Sequence, residues 1–159
     1  MALKKKASQL LDEACFAEES GNNLFAQELI DQAIAINPKH WYLWCKKAIL
    51  LDDSGCIEEA KVAFKMSIDL NDKQALSWSL LGCLYYDEMN FEAAAHCCRT
   101  SLEILEDYST LTILAGAEIQ TGEVESALKH ANRALELNPD WDEAESMRDH
   151  ALRILARAE

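Results

Sequence analysis

The residues best suited to chemistry in this 159-residue chain are six cysteines and four histidines. The cysteines are Cys15, Cys45, Cys56, Cys83, Cys97 and Cys98. None forms a Cys-x-x-Cys pair, and Cys97 and Cys98, with His96 before them, match no common zinc spacing. On a helix that vicinal pair is badly placed to bridge to itself. The six therefore read as reduced thiols that pack like small apolar side chains. Such a set is a liability in an oxidising compartment, so the expected location is the cytoplasm. His40, His96, His130 and His150 are widely separated. Paired histidines on one helix face, a glycine-rich phosphate loop and a Ser/His/Asp constellation are all missing from the sequence. The expectation is a non-enzyme with no catalytic residues, no metal site and no cofactor.

Charge narrows the partners. With 15 basic against 28 acidic residues the net charge is −13, which repels nucleic-acid phosphates and anionic membrane surfaces. It favours basic or amphipathic polypeptides. Acid is spread along the chain rather than gathered in a tail. The one basic run, Lys4-Lys5-Lys6, is followed by polar amphipathic sequence rather than the apolar stretch of a secretory signal, and residues 1–6 read as a basic N-terminal extension. No apolar run approaches the ~18 residues a membrane helix needs.

What must position these residues is an internal repeat. Ala35-Ile36-Asn37-Pro38 returns as Glu136-Leu137-Asn138-Pro139, with Asp69-Leu70-Asn71-Asp72 between them. Gly21, Gly55 and Gly122 keep the same beat, with Met89 standing at the third. The period is 34 residues, shortened once to 33, and it divides the chain into 7–40, 41–74, 75–107 and 108–141. Small residues recur at three places in every repeat: Ala14, Ala48, Gly82, Ala115; then Ala26, Ala60, Ala94, Ala127; then Ala33, Ser67, Ser101, Ala134. Two helices of a hairpin approach closely only where neither carries bulk. Large residues fill the facing holes: Leu10, Trp44, Trp78 and Leu111 on first helices, Ile30 and Phe64 on second ones.

The run Trp78-x2-Leu81-Gly82-x2-Tyr85, then Ala94, with Phe64, Pro38 and Pro139 in other repeats, resembles the tetratricopeptide repeat over residues 7–141. The resemblance implies an all-α, right-handed superhelical solenoid of four helix-turn-helix repeats. The predicted helices are 7–20 and 23–36, 41–54 and 57–70, 75–88 and 91–104, 108–121 and 124–137. Glycine closes first helices in the left-handed conformation, and Asn37 and Asn138 are expected to do the same for second helices, with proline beyond. Residues 142–159 read as a capping helix, apolar along Ala144, Met147, Ala151, Leu152 and Leu155, with Arg148, Arg153 and Arg157 toward water. Several positions depart from the motif. Glu13 and Ala17 replace large apolar residues, Glu118 stands at the tyrosine position, and Met89 and Glu106 replace glycine and proline.

The resemblance also implies where a partner sits, on a concave groove lined by the first helix of each repeat. Carried over position by position, the candidate groove residues are Leu11, Cys15, Glu18, Tyr42, Cys45, Lys46, Ile49, Asp53, Leu76, Ser79, Leu80, Cys83, Tyr86, Asp87, Thr112 and Ile113. Apolar members supply a floor and acidic ones an edge, a combination suited to an extended or helical segment with apolar anchors and basic flanks. The positions where carboxylate-clamp members of the family carry Lys, Asn and Arg hold Leu11, Cys15, Lys46, Leu76 and Leu80, so that role is excluded. The expected function is a protein-interaction module or adaptor. The alternatives are a chaperone resembling those of type III secretion translocators, and a self-assembling scaffold in which weak homo-oligomers form through the ends of the array.

Overall fold

The computed structural model describes residues 2–158, which form nine α-helices: α1 (Ala2–Glu19), α2 (Asn23–Ile36), α3 (Trp41–Asp53), α4 (Ile57–Leu70), α5 (Ala75–Asp87), α6 (Phe91–Ile104), α7 (Tyr108–Thr121), α8 (Val124–Leu137) and α9 (Asp142–Ala158). They pair as the hairpins α1/α2, α3/α4, α5/α6 and α7/α8, followed by α9. The predicted limits hold to within a residue, except that α1 starts at Ala2. Lys4–Lys6 form its first turns, because lysine is a good helix former and no glycine or proline interrupts the run. No described helix is long and apolar enough to cross a membrane.

The chain divides into two compact units, α1–α4 and α5–α9. In the first, α2 packs against α3, and Leu29, Ile30 and Ala33 of α2 share one core with Leu10 and Ala14 of α1 and Leu43 and Leu50 of α3. In the second, α6 packs against α7, and α9 lies against α8 and α7. All twelve small-residue positions of the repeat are buried, the alanines at 1% exposure or less. Small side chains sit there because the helices of each hairpin have no room for larger ones.

Two of the twelve are serines with a further task. Ser67 Oγ donates to the Trp41 carbonyl at 2.9 Å, and Ser101 Oγ donates to the Ala75 carbonyl at 3.0 Å. Each ties the last turns of a second helix to the first residue of its partner. In repeats 1 and 4, where the position holds Ala33 and Ala134, this tie is lacking.

Helix closure follows one pattern. Gly21, Gly55 and Gly122 have φ of 76°, 76° and 88°, and Met89 adopts the same left-handed region at 60° although it carries a Cβ. The next amide reaches five residues back at 2.8 Å in every case: Asn22 to Ala17, Cys56 to Leu51, Asn90 to Tyr85 and Glu123 to Glu118. The second helices end otherwise. Asn37 and Asn138 are not left-handed, with φ of −136° and −141°. Asn71 and Leu105, which no proline follows, are extended as well, with φ of −158° and −148°, so the four second helices all leave through an extended residue and the prolines after Asn37 and Asn138 only reinforce it.

Side chains complete the ends. Asn22, Gln74, Asn90 and Asp107 each accept from a backbone N–H in the first turn of the helix that follows. In α9 the apolar stripe runs Ala144, Met147, Ala151, Ile154 and Leu155. Leu152, expected on it, is 47% exposed, because it falls to one side of the arc that Ala144, Met147, Ala151 and Leu155 define.

Candidate polypeptide-binding site

In the α1–α4 unit, first-helix residues come together around Lys46. This side chain is 11% exposed and its Nζ donates to Glu18 Oε2 at 2.5 Å. Burial alone would lower the lysine pKa, but the Glu18 hydrogen bond and charge, with lesser contributions from Cys15 and Tyr42, outweigh it and hold the ammonium above its usual range. Cys15, Glu18, Tyr42 and Lys46 thus form one electrostatic cluster contributed by α1 and α3. Tyr42 is half-buried with its ring edge-on to Trp41, the centroids 5.4 Å apart. Leu11 packs on the edge of the core, Ile49 is half-buried and Asp53 is exposed. Cys45 is different. At 0% exposure it offers no surface and belongs to the interior, because its place on α3 turns it inward beside Ala48 rather than toward solvent.

In the α5–α9 unit, Leu76 is 40% exposed, Leu80, Cys83 and Ile113 are half-buried, and Asp87 is exposed. Ser79 Oγ donates to the Leu76 carbonyl at 2.9 Å, so its hydroxyl is engaged locally. Thr112 is buried, with Oγ1 donating to the Tyr108 carbonyl at 2.8 Å, and contributes no surface either. Tyr86 lies against α7 so closely that a Cβ built on Gly116 would fall 2.6 Å from its hydroxyl oxygen. Its ring meets Phe91 edge-on at 5.5 Å, and burial, helped by the Asp87 charge, raises its phenol pKa. Tyr86 is therefore a packing residue between α5, α6 and α7.

The second unit also holds a polar network. Glu118 of α7 is fully buried, receives Arg99 Nη2 at 2.9 Å and Ser126 Oγ at 3.2 Å on Oε1, and faces His130 Nδ1 at 2.7 Å through Oε2. An ionised carboxylate only accepts, so His130 carries the proton on Nδ1. Arg99 also reaches Glu123 at 2.8 Å. Burial would raise the Glu118 pKa, but the hydrogen bonds from His130 and Arg99, with the His130 charge and Ser126, outweigh that and hold it below the usual range. Among the described residues no group of three or more His, Cys, Asp or Glu is placed to hold a metal ion. The histidines are dispersed: His40 precedes α3, His96 lies edge-on to Trp78 at 6.2 Å, His130 belongs to the network and His150 is exposed on α9.

No family sequence model matches the chain, and no curated protein matches it in sequence. Solved structures do match in fold. The Pseudomonas aeruginosa PilF structure superposes over 99% of this chain and 72% of its own, with a TM-score of 0.85 at 13% identity. MamA matches over 97% of this chain and 90% of its own, with a TM-score of 0.78 at 15% identity. YrrB, described as a tetratricopeptide-repeat protein with an unusual peptide-binding site, matches over 77% of this chain at a TM-score of 0.74 and 21% identity. The match takes in 64% of the YrrB chain. The chain has the tetratricopeptide-repeat fold.

Within that fold the departures acquire reasons. Glu118 takes the tyrosine position of repeat 4 because Arg99, Ser126 and His130 enclose it. Lys46, the one basic residue at a clamp position, is already neutralised by Glu18. Two features escaped the sequence reading. The residues around Glu118 come from α6 and α8, and only the unusual glutamate is visible in the repeat alignment. Phe16, 72% exposed, was passed over, although shifting it by one period would have aligned it with Leu50.

Proposed function

We propose that this chain is a protein-interaction module that holds a polypeptide segment on the exposed first-helix faces of each of its two units, α3 in the first and α5 and α7 in the second, in the reducing environment of the cytoplasm. The observation that carries the reading is the character of those faces. Leu76, Leu80, Ile49 and Ile113 leave apolar surface accessible, and Asp53 and Asp87 stand exposed near the ends of the same helices α3 and α5. Apolar anchors flanked by acid fit a ligand with apolar side chains and basic flanks. Cys45 and Thr112 are left out of the surface, and Tyr86 is retained as a packing residue. The tetratricopeptide fold of YrrB, whose description includes a peptide-binding site, lends the reading support. Six cysteines that form no disulfide, of which Cys45, Cys97 and Cys98 are buried, accord with a reducing compartment.

The test is a pull-down from lysate with the wild-type protein beside a Leu76→Glu/Asp87→Lys variant. Both positions are exposed, so the circular dichroism of the variant should match wild type. The reading expects a retained protein that the variant releases. Proteins held equally by both would overturn it.

A further inference from the structure

The repeat supplies an internal control for every surface position, and one residue stands out against it. Phe16 of α1 corresponds to Leu50 of α3 and Ala117 of α7. Leu50 and Ala117 are both 0% exposed, whereas Phe16 is 72% exposed. What covers the equivalents is known. Leu50 is enclosed with Leu29 and Ile30 of α2, and Ala117 with Ala94, Ala95 and Cys98 of α6. In both cases the cover is the second helix of the preceding hairpin, laid along the first helix of the next.

Among the described residues no helix lies in that place on α1. Phe16 and Phe25, the latter 47% exposed, border a concavity of about 490 Å³ whose rim includes Asp12 and Glu13, and Leu24 beside it is 77% exposed. Asp12 and Glu13 make no ion pair with a described residue, and Glu19 and Glu28 are exposed on the same hairpin. An apolar floor that the fold covers elsewhere with a helix, edged here on the α1 side by the Asp12 and Glu13 carboxylates, selects both the shape and the charge of its occupant.

We infer that the outer face of the α1/α2 hairpin is a second docking surface, and that its ligand is an amphipathic helix with basic flanks from a partner protein. This surface is separate from the first-helix site proposed above. At roughly 100° per residue, Phe16 and Glu13 lie roughly 120° and 180° round α1 from the mean direction of Leu11 and Cys15, with Asp12 at the border between the two faces.

The inference is tested with a stapled, fluorescein-labelled peptide that carries the α2 sequence with Glu28→Lys, Asp31→Lys and Gln32→Lys. The control peptide keeps the acidic α2 sequence. Fluorescence polarisation against the full chain should show saturable binding of the basic peptide, at least tenfold tighter than the control. Phe16→Glu should weaken it at least tenfold without altering helicity or melting, since the side chain is mostly exposed. Asp12→Lys/Glu13→Lys should weaken the basic peptide and strengthen the acidic one. Leu76→Glu should change nothing, which separates this surface from the first-helix site. The inference is overturned by any of three results: no saturable binding up to about 1 mM, equal binding of the two peptides, or binding that survives Phe16→Glu. It is also overturned if wild type forms a dimer by sedimentation that Phe16→Glu abolishes, for the face would then join two copies of this chain.

Discussion

Replacing Gly82 with alanine adds a single carbon at the closest approach of α5 and α6. That Cβ would lie 2.9 Å from Cys98 Sγ, 3.3 Å from Cys97 Cβ and 3.4 Å from the Ala94 carbonyl oxygen. Ordinary contacts of this kind begin near 3.5 Å, so the overlap with sulfur is about 0.6 Å or more. Cys98 cannot swing aside freely, because it is fully buried among Ala94, Ala95, Leu114 and Ala117. Overpacking of this sort costs about 1–3 kcal/mol. Against it stands the helix propensity of alanine, which favours it over glycine by about 1 kcal/mol. The expected net loss for Gly82→Ala is thus about 0–2 kcal/mol, and for Gly82→Leu it is larger.

Because those two effects oppose each other, the decisive measurement is a double-mutant cycle. Cys98→Ala removes the nearest atom and by itself should cost about 1 kcal/mol for the small void. Combined with Gly82→Ala, it makes room for the new methyl. The double mutant should therefore be more stable than the sum of the single effects by about 1 kcal/mol or more. Urea unfolding at 222 nm gives the totals, and hydrogen exchange of α5 and α6 amides localises them, which matters in a chain of two compact units. Additivity within about 0.5 kcal/mol, together with a Gly82→Ala protein no less stable than wild type, would refute the close-approach argument.

Three further expectations rest on single features. Ser67→Ala and Ser101→Ala should each lose about 1 kcal/mol in urea unfolding, since each removes one buried hydrogen bond to a first-helix carbonyl. Met89→Gly should stabilise the α5/α6 hairpin by up to about 1 kcal/mol, because a left-handed residue with a Cβ is strained and the gain exceeds the entropy glycine adds to the unfolded chain. An unchanged or lower melting temperature would count against strain at Met89. Glu118 has a folded pKa below its unfolded value, so its contribution is fully present above the unfolded carboxylate range, near 4.3, and is lost as pH falls through the folded pKa. Wild type should therefore lose more stability between pH 5 and 3 than Glu118→Gln does, and parallel pH profiles would sink that expectation.

Much of the fold was legible because a repeat states each packing requirement several times. Ala26, Ala60, Ala94 and Ala127 are one sentence written four times, and a helix limit misjudged in one hairpin is corrected by the others. The second-helix ends differ from the expectation. Asn37 and Asn138 suggest left-handed caps, but the four second helices all leave through an extended residue, including Asn71 and Leu105, which no proline follows. The site was less legible. Spacing along one helix says which residues share its face, yet it cannot say that α7 brings Gly116 beneath Tyr86, or that Cys45 and Thr112 turn into the interior. Those outcomes depend on how far one helix overlaps the next, and side-chain spacing along a single helix does not encode it.

The departures from the repeat say more about this chain than its agreements do. A position that matches the pattern is explained by the need to stack hairpins. Glu118 does not match, and a carboxylate buried among helices survives only because Arg99, Ser126 and His130 arrived with it, contributed by α6 and α8. That network commits α6, α7 and α8 to one another through charge as well as through apolar packing. Phe16 does not match in the opposite sense: its side chain is as apolar as its equivalents, but no described residue covers it. A face that merely ended the stacking would be served by a polar residue there, as Glu13 serves where repeats 3 and 4 place Leu81 and Leu114. Retaining phenylalanine at 72% exposure carries a cost in solubility that the neighbouring carboxylates only partly offset. The cost is removed when a helix lies over it, and the acidic rim determines which helix that can be.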